Sequence, residues 1–140
     1  MSDLDEIHSA GSVSETFFTS VGCMDGRVQD PVAEYGRKRY NVLFADTITE
    51  AGLVGLLSQN PSEEFLESIK KKVLISVEKH HSKGIVVHGH QGCAGNPVSD
   101  EIHKQDVLRA SELVRQMVPN LEVKPVFVEK KDGNWVASEI

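Results

Sequence analysis

Short β-rich runs alternate with longer stretches of helical periodicity along most of this chain, and that alternation constrains the fold more than any other feature. Thr16-Phe17-Phe18-Thr19-Ser20-Val21, ended by Gly22, reads as a first strand. Gln29 to Arg39 reads as a helix, with Asp30 as N-cap and Pro31 at the first helical position. Tyr40 to Thr49 is a second strand by its β-branched and apolar content, and Ala51-Gly52 turns the chain into a short apolar segment, Leu53 to Leu57. The next helix is capped by Asn60 or Ser62, places Phe65, Ile69, Val73 and Val77 on one face, and stops at Gly84. Ile85 to His88 is a buried-type strand that runs into a glycine-punctuated loop, His88 to Pro97. A third helix spans Ser99 to Val118, with Val107, Leu108, Leu113, Val114 and Met117 inward. Val123 to Ile140 reads as two strands around Lys131-Asp132-Gly133-Asn134, where Asp-Gly signals a hairpin. The pattern predicts an α/β fold: a mostly parallel central sheet flanked by helices, closed by a C-terminal β-hairpin.

At 140 residues the chain is the size of one domain. We divide it into a loose acid- and Ser-rich tail over residues 1–14, whose Leu4 and Ile7 could pack on a partner, and a single domain over 15–140. Fifteen Lys and Arg stand against 21 Asp and Glu, a net charge of −6 that argues against nucleic-acid or polybasic membrane binding. No apolar run approaches the ~20 residues that span a bilayer. The start of the chain lacks the basic and apolar stretches of a signal peptide, so the expected location is cytoplasmic, a reducing compartment where Cys23 and Cys93 stay free thiols.

Both cysteines follow predicted strands: Cys23 opens Cys23-Met24-Asp25-Gly26-Arg27 and Cys93 closes His90-Gln91-Gly92-Cys93. In an open α/β sheet, sites assemble on the loops at the carboxyl ends of the strands. If the two strands are parallel neighbours, two thiolates and one imidazole can converge. Such a donor set is soft, suits zinc, and leaves a fourth position open in the catalytic manner. The alternative is a pair of buried thiols packing as small apolar residues. For Asp25 and Arg27 the plain alternative is an ordinary surface salt bridge.

The two segments together, Cys23 to Arg27 and Gly89-His90-Gln91-Gly92-Cys93-Ala94-Gly95, resemble the paired signature of the β-class carbonic anhydrases. The resemblance implies zinc held by Cys23, His90 and Cys93, with Asp25 and Arg27 as a dyad beside it. It also implies reversible hydration of carbon dioxide to bicarbonate and a homodimer or higher homo-oligomer. In that setting zinc lowers the pKa of a bound water, Asp25 orients the resulting hydroxide, and Arg27 keeps Asp25 off the metal through a bidentate pair.

The sequence departs from the family after the second strand. An Arg-Asn-Ala-Gly-like stretch is usual there, whereas this chain has Thr47-Ile48-Thr49-Glu50-Ala51-Gly52, so Glu50 or Asp46 would bring negative charge towards an anionic product. The chain therefore resembles a compact, divergent branch of the family. Hydrolysis of carbonyl sulfide or carbon disulfide and a non-catalytic zinc protein are the competing functions, with a thiol redox protein behind them. His88 reads as a packed residue beside the site. His103, with Asp100, Glu101 and Asp106, reads as a solvated helix face, His80 and His81 as helix-end residues, and Trp135 as a packing residue of the hairpin or a subunit contact.

Overall fold

The computed structural model describes residues 15–140, so the tail expected over 1–14, including Leu4 and Ile7, lies outside the described residues. The elements are β1 (Phe17–Gly22), α1 (Gly26–Tyr40), β2 (Phe44–Thr49), α2 (Leu53–Ser58), α3 (Glu63–Lys79), β3 (Ile85–His90), α4 (Asp100–Met117), β4 (Val123–Lys131) and β5 (Asn134–Glu139). The strands form one sheet in the order β2-β1-β3-β4-β5. The first four are parallel, and β5 returns antiparallel to β4. The predicted α/β architecture and its terminal hairpin are therefore present. Asp132 and Gly133, both at positive φ, make the two-residue turn that the Asp-Gly pair signals.

Side-chain alternation along the strands builds two apolar layers. Phe18, Val86, Val126 and Val128 point to the α1 side and pack with Val28 and Val32. Val21, Ile85, Val87 and Phe127 point to the other side and meet Leu53, Leu57, Ile69, Val73, Val107 and Val114 from α2, α3 and α4. The chain leaves β1 towards β2 on one side and comes back to β3 on the other. β1 and β3 thus flank a topological switch point, where the carboxyl ends of neighbouring strands open a crevice.

Several boundaries differ from the sequence expectations. Helix α1 begins at Gly26, not Gln29, and Asp25 is its N-cap: the side chain accepts the Arg27 backbone N–H. Pro31 lies inside the helix, near enough to its start that the missing N–H leaves a single carbonyl, that of Arg27, without its helical donor. The helix continues through Tyr40 to a left-handed cap at Asn41, so β2 starts four residues later than Tyr40. Helix α3, capped by Ser62, ends at Lys79 before Gly84 is reached, with His81 at positive φ. Gly84 instead lies against Tyr40, whose ring a Cβ would strike. Strand β3 runs on to His90, because that residue keeps its register with Val128 on β4.

The inward stripe of α4 also needs correction. Val107 and Val114 are buried, but Leu108 is exposed, and the buried positions His103, Asp106, Val107, Ala110, Ser111 and Val114 follow the helical repeat. His103 is only 2% exposed and sits edge-on to Phe127, so it belongs to the interior and not to a solvated face. Asp106 is buried with it and accepts a hydrogen bond from Asn96 Nδ2 at 3.0 Å.

Candidate metal centre

Cys23 directly follows the last residue of β1, and His90 is the last residue of β3. The register pairs Gly22 with His88, so the ends of these neighbouring strands lie side by side. The loop after β3 then returns Cys93 to the same place. One donor atom from each of Cys23, His90 and Cys93 lies within 4.8 Å of the other two, and all three residues are buried. The two sulfurs are 3.7 Å apart, and both cysteines are free.

The imidazole is set up as a donor. His90 Nδ1 donates to the Gln91 carbonyl at 2.9 Å, which places the proton on Nδ1 and leaves the lone pair on Nε2. That Nε2 is buried and, among the described residues, has no hydrogen-bond partner. A buried, unpartnered nitrogen is costly unless something binds it. Together with two sulfurs at this spacing, it fits a thiophilic divalent cation such as zinc. The residues present fit the ion that the motif implies.

Electrostatics points the same way. Burial raises the Cys23 thiol, but the nearby His90 ring and the Gly52 and Asp25 backbone N–H groups outweigh it and bring the thiol down to about 6. Gly52 donates to Cys23 Sγ at 3.4 Å. Its φ of +64° and its contact with Gly95, whose carbonyl oxygen would lie 2.4 Å from a Cβ, explain why glycine stands there. Cys93 is raised by burial and by the negative charge of Cys23, partly offset by the backbone N–H groups of Gly95 and Asn96. His90 is lowered by burial but raised further by Cys23, Gln91 and Asp25, for a net rise. A cation on these atoms would compete with protons for the same lone pairs.

Asp25 and Arg27 stand at the rim. Asp25 Oδ2 is 3.9 Å from His90 Nε2. Arg27 grips the carboxylate at both oxygens, and this pairing, against the opposing effect of burial, holds the acid down to about 2. Three further residues, Gln29, Gln91 and Trp135, fix the surroundings through contacts that sequence reading missed. Gln29 Nε2 donates to the carbonyls of Cys23 and Asp25, each at 2.8 Å, and clamps the first loop. Gln91 Oε1 accepts the Lys130 backbone N–H at 3.1 Å, tying the second loop to β4. Arg27 lies over the Trp135 ring, 4.8 Å from its centroid. The position of Gln29, one helical turn past the capping Asp25, is a signal that could have found the first of these.

Other sequence-flagged residues fall into place around the site. Glu50 is exposed, and its backbone N–H donates to the Gly22 carbonyl. Asp46 accepts hydrogen bonds from Ser76 Oγ and His80 Nδ1, each at 2.7 Å, so its charge is engaged at the start of β2 and not at the site. His88 is fully buried, burial pushes it down to about 3, and neither ring nitrogen has a partner among the described residues. Among the described residues, no helix is long and apolar enough to cross a membrane.

A family model described as "Putative carbonic anhydrase" matches residues 13–140. No curated protein matches the chain. Among solved structures, the carbonic anhydrase from Streptococcus mutans is similar with a TM-score of 0.56 at 14% identity, over 96% of this chain and 89% of that one. The β-carbonic anhydrase CafA of Aspergillus fumigatus is similar with a TM-score of 0.53 at 13% identity, over 91% of this chain and 76% of that one. At these identities the two structures establish a shared fold.

Proposed function

The chain belongs to the "Putative carbonic anhydrase" family, and we propose that it is a zinc-dependent lyase that reversibly hydrates carbon dioxide to bicarbonate. The observation that carries this reading is the convergence of Cys23, His90 and Cys93, donor atoms within 4.8 Å, beneath an Asp25 carboxylate held by Arg27. Those three residues would hold the zinc. Bound there, zinc supplies the Lewis acidity that makes hydroxide accessible near neutral pH, moderated by two thiolates.

The chain's own residues do the rest. Asp25, ionised across the working range, accepts a hydrogen bond at Oδ2 from the attacking nucleophile and turns its lone pair to the substrate carbon. Arg27 occupies both carboxylate oxygens, which keeps Asp25 oriented and discourages it from becoming a fourth ligand. The Gln91 carbonyl holds the proton on His90 Nδ1 throughout. Backbone N–H groups of Gly52, Gly95 and Asn96 moderate the thiolate charge.

The same reading makes the working form a homodimer or larger homo-oligomer. Its support is the edge strand β2, with its first residue Phe44 and the preceding Leu43 both exposed. Two free thiols suit a reducing, cytoplasmic setting. Stopped-flow hydration of carbon dioxide at alkaline pH, run on protein of known zinc content, tests the function. Zinc-dependent acceleration is expected. Full zinc occupancy with no rate above buffer would defeat the catalytic reading, and sulfide release from carbonyl sulfide without hydration would move the substrate.

A further inference from the structure

We infer that Trp135 is a positioning residue for this site: its indole face carries the Arg27 guanidinium and so fixes the arrangement of the Asp25–Arg27 pair. The inference deepens the reading of that pair given above and rests on it. Arg27 extends from the first turn of α1 with a side chain that is 50% exposed. A long exposed side chain loses rotamer freedom when it holds one bidentate geometry, and on a surface that loss commonly cancels the attraction. Among the described residues, its polar contact besides Asp25 is a long one, 3.4 Å, from Nη2 to the Gly92 carbonyl. The guanidinium carbon, however, lies 4.8 Å from the Trp135 ring centroid, within the range of a cation–π contact.

The chemistry of the support matters. A carboxylate in place of Trp135 would compete with Asp25 for the guanidinium donors. An indole face attracts the cation without accepting its in-plane N–H groups, so Nε and Nη2 stay available to Oδ1 and Oδ2. Trp135 is itself held, packing on the core layer under α1 and paired in register with Lys130 across the hairpin. The same hairpin reaches the other half of the site. The Val128 carbonyl accepts the Gln91 backbone N–H at 2.9 Å, and the Lys130 backbone N–H bonds Gln91 Oε1. One β-hairpin thereby sets the position of the residue next to His90 and of the residue that orients Asp25.

The test follows the Arg27 Nε–H by nuclear magnetic resonance, because its bond to Asp25 protects it from solvent exchange. Trp135→Leu should speed that exchange about two- to fivefold, and Trp135→Phe should recover most of the protection. Unchanged exchange in the Leu variant overturns the inference. Arg27→Gln, which leaves the hairpin untouched, should alter the emission of Trp135, the only tryptophan in the chain; unaltered emission also overturns it. In the zinc-loaded enzyme, Trp135→Leu should lower kcat by a similar factor alone and add nothing to Arg27→Gln; additive losses contradict action through Arg27. If the parent protein hydrates no carbon dioxide, the catalytic reading fails by itself, and exchange and emission still decide the role of Trp135.

Discussion

Arg27 holds Asp25 with two side-chain bonds, Nε to Oδ1 at 3.0 Å and Nη2 to Oδ2 at 2.7 Å, while the Arg27 backbone N–H donates to Oδ1 at 2.8 Å. One aspartate therefore serves both as the N-cap of α1 and as the oriented acid above His90. Arg27→Gln keeps the cap bond and removes the grip. It should cost about 10–100-fold in hydration rate, the usual penalty for losing a group that orients a site residue. Zinc content should stay close to that of the parent, and stopped-flow kinetics with metal analysis on the same samples checks both halves.

Metal retention should follow the three converging donors and not their neighbours. Cys23→Ser and Cys93→Ser should each bring bound zinc from near stoichiometric to a small fraction after dialysis. His103→Asn tests the boundary: its ring is 6.1 Å from that of His90 but belongs to the packing around Phe127. Zinc should be retained there even where stability falls. Chelation of the parent protein should lower its thermal midpoint, since an ion bound only by the folded state stabilises that state.

The close approach of β1 and β3 predicts a sharp contrast between two glycines. A Cβ on Gly22 would lie 2.3 Å from the buried His88 ring, whereas one on Gly26 meets nothing within 4 Å. Gly22→Ala should destabilise by about 1–3 kcal/mol through overpacking. Gly26→Ala, in the first turn of α1, should change stability by less than about 1 kcal/mol. Urea unfolding of the two variants side by side measures the difference.

Acid lability should carry a contribution from Glu122. Its carboxyl is held below the usual range, first by the Arg39 hydrogen bond, against a smaller opposing effect of burial. A carboxyl with a depressed folded-state pKa adds stability above its unfolded value, near 4.3, and that stability is lost as pH falls through the folded value. Because the pair is largely exposed, the effect should stay within about 1 kcal/mol. Glu122→Gln should flatten the corresponding stretch of a stability-versus-pH curve, measured by denaturant midpoints from neutral to acid pH.

Much of this architecture was legible in the sequence because local signals and tertiary demands agreed. The Asp132-Gly133 turn, the Ser62 cap and the alternation of strands and helices needed no long-range information to read. The convergence of Cys23 with His90 was legible only conditionally, since it required β1 and β3 to be parallel neighbours, which they are. What failed did so for physical reasons. Pro31 suggested a helix start because proline favours the first helical position, yet the capping bond of Asp25 places the start earlier. His103 and Asp106 looked solvated among acidic neighbours, but their spacing with Val107 and Val114 puts them on the buried stripe, where Asn96 partners Asp106. Contacts such as Arg27 on Trp135 join segments more than a hundred residues apart and leave no local trace.

Whether Cys23, His90 and Cys93 together hold zinc is tested by X-ray absorption at the zinc edge on protein supplied with one equivalent of the metal. The spectrum should show two sulfurs at ~2.3 Å and one imidazole nitrogen at ~2.0–2.1 Å around the metal, completed by a light solvent atom. Cys93→Ser should remove one sulfur from that set. A shell of nitrogen and oxygen alone, or zinc that stays free in solution, would contradict zinc binding by these three residues.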